Sequence, residues 1–231
     1  MSLVLFDIDG TLLRSGGAGR KAMDLAFEGL FGVAGAFDAI DFRGALDDLV
    51  LSAVFAAQGL ADTEASRRAF KEAFVLRLRA TMDPWSNPEL RLCPGVHAVL
   101  DALEPMASVA LVTGNWQVGA RGKLDTFGLW ERFPFGAFSE DGGSRAELIR
   151  VAVARARGRG LSAERAVMIG DTPADVAAAR EAGVLAVAVR TGWSEPASLV
   201  AAEPDLLLPD LEVGLPALLA LVQSGKGVNR A

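Results

Sequence analysis

Two aspartates two positions apart, Asp7 and Asp9, follow the apolar run Leu3-Val4-Leu5-Phe6. That run is β-prone, and residues i and i+2 of a strand face the same way, so both carboxylates project together from its carboxyl end. Carboxylates this close repel, and keeping both as anions requires a nearby cation or a proton on one of them. The pair predicts a hard divalent ion with oxygen ligands, most simply Mg²⁺, and a division of labour between the two acids. Gly10 lets the chain turn sharply after them. A bare Asp-x-Asp equally describes an acidic strand-to-loop junction, because acids are common in loops.

Three later stretches offer partners. Val109-Ala110-Leu111-Val112 reads as a buried strand that ends at Thr113-Gly114-Asn115, where a hydroxyl and backbone N–H groups opening a helix suit phosphate oxygens. The same three residues also make an ordinary helix cap. Arg165-Ala166-Val167-Met168-Ile169 is another buried strand, ending Gly170-Asp171-Thr172-Pro173-Ala174-Asp175. Asp171 falls at the strand tip, Pro173 suits the first turn of a helix, and Asp175, one turn on, faces back. Because Mg²⁺ needs few protein carboxylates and keeps waters, Asp7, Asp171 and the Asp9 backbone carbonyl make a reasonable ligand set. Ser144-Arg145-Ala146-Glu147 has the spacing of a capping box and starts a helix there.

FDIDGT, TGN and GDTPAD, in that order and each after an apolar strand, resemble the motifs of the haloacid dehalogenase-like (HAD) hydrolase superfamily, most of whose members are phosphatases. The resemblance spans essentially the whole chain. It implies that Asp7 is the nucleophile and that Asp9 protonates the leaving oxygen and then activates water. It further implies that Thr113 binds the transferring phosphoryl group, that Gly114 and Asn115 add backbone contacts, that Asp171 ligates the metal and that Asp175 supports the site. The family places a lysine at the start of the helix that Arg145 opens. Arg145 keeps the charge and binds phosphate oxygens bidentately, so it is the expected cation, with Lys123 as the alternative donor. Dehalogenases of the family lack the second acid, so Asp9 favours a Mg²⁺-dependent phosphatase that acts through an aspartyl-phosphate. The resemblance to the phosphoglycolate phosphatase-like branch implies a small phosphorylated metabolite as substrate. A phosphomutase acting on a sugar phosphate, and a non-catalytic phosphoacceptor or binding protein, are the alternatives.

The elements that must position these residues alternate strand and helix. They imply an α/β fold with a doubly wound parallel sheet, a Rossmann-like core, and polar motifs gathered at the strand carboxyl ends. Between Leu13 and Arg91 the pattern turns helical. Arg20–Leu30 carries a stripe of Ala22, Met23, Ala26, Phe27 and Leu30; Asp47–Leu60 carries Leu49, Val50, Ala53, Val54 and Ala57; Glu64–Ala80 carries Phe70, Phe74 and Leu78. Gly16-Gly17-Ala18-Gly19 reads as a flexible connector before these helices, and Pro84 and Pro88 close them. The expected division is a core of residues 1–13 and 92–231 with an all-helical insert, 14–91, placed where the family carries a cap that selects substrate. Arg43, with Arg14, Arg20 and Lys21, is a candidate to grip a second anionic group, although each is equally a solvated charge. Further on, Phe133–Phe138 reads as a strand and Leu211–Val222 as the final helix.

Composition narrows the partners. With 231 residues, 51% of them hydrophobic, the chain can bury a substantial core. A net charge of −6 argues against unspecific attraction to nucleic acid or to an anionic membrane, so a phosphate would depend on local cations. The single cysteine, Cys93, excludes an internal disulfide and suits a reducing cytoplasm. The first apolar run meets acids within a few residues, unlike a signal peptide, and no run is long enough to span a bilayer. The one histidine, His97, has no partner of metal-ligand type nearby and reads as structural or solvent-facing; Trp116, beside the Thr113 loop, either lines the pocket or, as aromatics more often do, simply packs.

Overall fold

The computed structural model describes residues 2–224. The chain opens with β1 (Ser2–Phe6) and a short β2 (Leu13–Arg14), and then passes through three helices, α1 (Ala18–Phe31), α2 (Asp47–Ala57) and α3 (Glu64–Thr81). It returns through β3 (Arg91–Leu92), α4 (Val96–Leu103), β4 (Ala107–Val112), α5 (Gln117–Asp125) and β5 (Gly136–Ala137). The remainder is α6 (Arg145–Gly158), β6 (Ala166–Gly170), α7 (Pro173–Ala182), β7 (Leu185–Val189), α8 (Pro196–Ala201), β8 (Leu206–Leu208) and α9 (Leu215–Ser224).

Six strands form one parallel sheet in the order β5-β4-β1-β6-β7-β8. The chain builds outward from β1 to β4 and β5, then crosses back to β6 and builds the other way. The order therefore reverses at β1, the place where open α/β sheets gather ligands beyond their carboxyl ends. Phe6 pairs with Leu111 on one side and Ile169 on the other, so Asp7, Thr113 and Asp171 leave three adjacent strands at similar height.

Strand β1 is buried throughout because helices cover both faces of the sheet. Val4 and Phe6 join Leu111, Val167, Ile169 and the helices α4, α5 and α9, whereas Leu3 and Leu5 join Met168, Ala188, α6 and α7. Alternation along each strand thus feeds two cores.

The helices α1 to α3 form a third core, rich in aromatic side chains, built on Phe27, Phe37, Phe55, Phe70 and Phe74. The segments leading into and out of these helices, β2 and β3, pair antiparallel with each other. Asn87 Nδ2 also donates to the Ser15 carbonyl at 2.8 Å, tying the exit to the entrance.

Several local readings are corrected. Ala18 and Gly19 already belong to α1, so the glycine run is not a free connector: Gly17, at φ 76°, is the turn that starts the helix. The buried face of α2 is Val50, Leu51, Val54 and Phe55. Leu49 stays 54% exposed and Ala53 and Ala57 face solvent, because the helix turns Phe55 onto Phe27 and Phe31, with ring centroids at 5.9 and 5.5 Å. Leu30 of the α1 stripe is likewise exposed. A 3₁₀ turn occupies Trp130–Arg132, and the strand expected over Phe133–Phe138 shrinks to Gly136–Ala137 at the sheet edge. The last helix begins at Leu215, four residues later than expected.

Candidate active site

Every strand tip near the topological switch contributes a side chain. Asp7 extends β1, Thr113 extends β4 and Asp171 extends β6, and all three are buried. Arg145, at the first turn of α6, reaches under them. Its Nη1 lies 2.6 Å from Asp175 Oδ1 and 3.2 Å from Asp7 Oδ1. A guanidinium buried to this degree is tolerable only with anionic partners, and Asp175, Asp7 and Asp171 together outweigh the cost of its burial and push its pKa further up.

Asp175 is fully engaged. One oxygen accepts from Arg145, and the other accepts from Thr172 Oγ1 at 2.6 Å and from the Thr172 backbone N–H at 3.0 Å, a reciprocal cap on α7. Asp171 is the opposite case. Its Oδ1 is buried without a hydrogen-bond partner, and burial, followed by the charges of Asp175 and Asp7, raises its pKa well above the usual carboxylate range. Burial also raises Asp7 to about 6, against the pull of Arg145.

Asp7, Asp171 and Asp175 offer carboxylate oxygens within 4.8 Å of one another. A hard divalent cation fits this set, because it would take the orphaned Asp171 oxygen and relieve the mutual repulsion that burial amplifies. With both Asp175 oxygens already used, Asp7 and Asp171 are the side chains with capacity left, and Asp175 orients Arg145 and the α7 turn.

Asp9 sits in a different setting. Lys123 Nζ reaches its Oδ2 at 2.5 Å, Asn115 Nδ2 donates to the same oxygen at 2.9 Å, and Ser15 Oγ donates to Oδ1 at 3.0 Å. Burial disfavours the anion, but Lys123 above all, then Asn115 and Ser15, outweigh it and hold the pKa below the usual value. Lys123 also donates to Asn115 Oδ1 at 2.6 Å, and Asn115 Nδ2 donates to Thr113 Oγ1 at 2.7 Å, so the Thr-Gly-Asn turn and Asp9 share one network. The two cations divide the two acids: Arg145 holds Asp7, and Lys123 holds Asp9.

Glycines make room for this packing. Gly10 has φ 83°, and a Cβ there would meet Asp171 Oδ2 at 2.4 Å; a Cβ on Gly192 would overlap the same carboxylate. Gly114 admits another element: a Cβ on it would sit 1.9 Å from the Ala45 carbonyl, on the loop before α2. That loop is pinned against the Thr113 turn. The Asp47 N–H donates to the Gly114 carbonyl at 2.8 Å, Asp47 Oδ2 accepts from the Trp116 N–H at 2.9 Å, and Asp48 Oδ1 accepts from Trp116 Nε1 at 2.9 Å. Asp48 N–H completes the seam by donating to Ser139 Oγ at 2.8 Å.

A cavity of about 420 Å³ lies between the strand tips and the helices α1 to α3. The structure brings Asp7, Asp9, Thr113, Gly114, Asn115, Arg145 and Asp171 to its wall, with Lys123 beside them. Asp175 stands behind Arg145. Arg43 also borders the cavity, but its guanidinium is an exposed fork on Asp41, Nε at 2.9 and 3.2 Å and Nη2 at 2.8 Å. Trp116 is fully buried among Phe70 and Phe74 instead of lining the cavity, and His97 is exposed. Sequence reasoning missed Asp47 and Ser15. An acid in the first turn of a helix is so common that Asp47 carries no distinguishing signal.

A family model described as haloacid dehalogenase-like hydrolase matches residues 4–189. A phosphoglycolate phosphatase of Agrobacterium fabrum is 28% identical over 227 residues, covering 96% of this chain and 95% of that protein. A phosphoglycolate phosphatase of Synechococcus elongatus is 31% identical over 163 residues, 62% of this chain and 74% of that protein. Among solved structures, a hydrolase from Pseudomonas syringae superposes with a TM-score of 0.69 at 18% identity, covering 96% of this chain and 99% of its own.

Proposed function

The chain belongs to the haloacid dehalogenase-like hydrolases, and we propose that it is a Mg²⁺-dependent phosphatase that hydrolyses a small phosphomonoester through an aspartyl-phosphate on Asp7. The observation that carries this reading is the meeting of Asp7 and Asp171 at adjacent strand tips, with an unpartnered buried oxygen on Asp171 and Arg145 beneath them. The relatives named phosphoglycolate phosphatase support the same reaction class.

In this reading an oxygen of Asp7 attacks phosphorus, and the ester oxygen leaves with a proton from Asp9. Asp9 then takes a proton from the water that attacks the phosphoryl–Asp7 bond, returning the free carboxylate and inorganic phosphate. Asp9 is held ionised by Lys123 and Asn115, and an incoming phosphate dianion beside it raises its pKa by like-charge repulsion, which supplies the protonated form that the first step needs. The Thr113 hydroxyl and Arg145 bind the equatorial oxygens where charge is held during transfer. Asp7, Asp171 and the Asp9 backbone carbonyl would hold Mg²⁺, which would supply charge neutralisation and alignment of the phosphoryl group. Residues 14–91 form the cap, and the seam from Asp47 and Asp48 to the Thr113 turn keeps bulk water from the acyl phosphate.

Phosphate release from an aryl phosphate and a panel of small phosphorylated metabolites tests the proposal, with Mg²⁺ or excess chelator, for wild type and Asp7→Asn. Metal-dependent turnover that vanishes in Asp7→Asn is the expected result; full activity in that variant would sink it.

A further inference from the structure

Phosphoryl transfer accounts for the strand tips but leaves the opposite wall of the cavity, which must meet the alcohol part of the ester, without a role. Gripping a second anion there would need a cation whose charge is not already matched by a carboxylate. Arg43 turns Nε and Nη2 to Asp41, and Arg20 Nη2 donates to Asp38 Oδ1 at 2.8 Å with Asp24 Oδ2 at 3.9 Å from its Nε, so each of these cations is already matched by a carboxylate. Lys123 is bonded to Asp9 and Asn115, and Arg145 stands at the strand tips beside Asp7 and Asp175, where it meets the phosphoryl group and not the alcohol portion. The same wall adds carboxylates, Glu89 and Asp47.

Asp47 is the unexplained member. It is only 8% exposed, it borders the cavity, and its position is fixed by main-chain bonds to the Gly114 carbonyl and from the Trp116 N–H. Its Oδ2 is used by Trp116, whereas Oδ1 has no hydrogen-bond partner among the described residues. Unlike Asp171 Oδ1, this oxygen is not sealed from solvent: on a residue that borders the cavity, it is an acceptor that a ligand donor can take over from water.

We infer that Asp47 holds a hydroxyl or an ammonium on the alcohol portion of the substrate, so that the preferred phosphomonoester carries a neutral or cationic short alcohol and not a second anion. The inference rests on the phosphatase reading and departs from the carboxylate substrate for which the relatives are named. Burial lifts the Asp47 carboxyl to about 7, Asp9 and Glu140 adding to the lift while Lys123 and the Trp116 N–H oppose it, and that is the electrostatic state of an acid short of a donor or a positive partner. Met23, Ile40, Phe42 and Phe74 line the rest of this wall and suit the carbon chain between phosphate and polar group. A carboxylate in the same place would face Asp47 in a dry cleft, where like-charge juxtaposition discriminates strongly.

The test compares kcat/KM for O-phosphoethanolamine, glycerol 1-phosphate and phosphoglycolate, with para-nitrophenyl phosphate as control for the reaction class, in wild type, Asp47→Asn and Asp41→Asn. Wild type should favour the ammonium and hydroxyl esters over phosphoglycolate by about tenfold or more. Asp47→Asn should shrink the ammonium-to-carboxylate ratio by about tenfold, chiefly through KM. Asp41→Asn frees Arg43 and should move the ratio toward phosphoglycolate, a result that stands even if Asp47→Asn folds poorly. A readout independent of turnover is the thermal shift given by phosphonates, 2-aminoethylphosphonate stabilising wild type more than phosphonoacetate does. Hydrolysis of the aryl phosphate with phosphoglycolate preferred, or ratios unmoved by both substitutions, would overturn this inference alone. No hydrolysis of any ester together with no phosphonate binding would remove the phosphatase reading and this inference with it.

Discussion

The floor and the roof of the cavity handle charge in opposite ways. On the floor, Asp7, Asp171, Asp175 and Arg145 are each no more than 8% exposed, and each leans on the others. In the roof, Arg43 and Asp41 have side chains 61% exposed and Arg20 41%, each pair closed on itself within the helices and their loops. Buried charges without compensation are costly, so the floor holds one geometry and serves a reaction whose requirements do not vary. Exposed pairs contribute little to stability and can re-form, so the roof is where substrate preference is free to change. Asp47 is the exception that joins them: a residue of the roof with the burial of the floor.

The contrast can be broken hardest at Asp7. Asp7→Asn keeps the shape of the strand tip and removes the nucleophile, and phosphate release should fall by about 10⁴-fold or more in a steady-state assay.

Next is Arg145. Arg145→Ala leaves Asp7 and Asp175 buried without their cation, so unfolding by denaturant should show a loss of about 3–5 kcal/mol, and turnover should drop by roughly 10²–10³-fold. Lys123→Ala should leave Asp7 in place and release Asp9, producing a shifted pH profile with a smaller loss. Activity retained by Arg145→Ala and abolished in Lys123→Ala would reverse the assignment of the two cations.

Asp47 gives a stability test. Its folded-state pKa, about 7, lies above the ordinary carboxylate value, so the stability linked to its neutral form is complete below about pH 4 and is lost as pH rises through 7. Asp47→Asn has no such loss. The difference in Tm between Asp47→Asn and wild type should therefore move in favour of the variant between pH 5 and pH 8.5. The expected size is about 2 kcal/mol, or roughly 4–8 °C. A gap that does not change with pH would show that Asp47 remains ionised throughout.

The smallest effect should come from Arg43→Ala. Its pair with Asp41 is solvent-exposed, so Tm should not move and KM should change by less than about tenfold with kcat held. A collapse of kcat would place Arg43 with the floor.

What the sequence made legible follows the same division. Asp7, Thr113 and Asp171 could be located because each follows a run of apolar residues that has to be a buried strand, and parallel strands deliver their tips to one edge. Arg145 could be located because Ser144 and Glu147 mark a helix start. Contacts made across the chain left no such trace. Lys123 is legible only as an alternative donor to the phosphate; that it bonds Asp9 instead depends on how α5 lies beside β1, more than a hundred residues apart in sequence. The face of α2 was misread for a related reason. Its small alanines and large apolar residues fit more than one stripe, and the ring of phenylalanines supplied by other helices decides which one is buried.

Trp116 sits at the seam in an unusual way. The loop that carries it follows β4, yet its indole is fully buried in the aromatic core of helices α1 to α3, 5.4 Å from Phe74 and 6.0 Å from Phe70 between ring centroids. Parting the helices from the sheet must withdraw that ring into water. At about 25 cal/mol per Å² over the roughly 150–250 Å² of such a side chain, this costs about 4 kcal/mol or more. On this contribution alone the shut form outnumbers the parted one by roughly a thousandfold. The indole thus acts as a latch on the seam, and iodide quenching of its emission, in a variant with Trp85, Trp130 and Trp193 replaced by Phe, would report the fraction in which it is withdrawn.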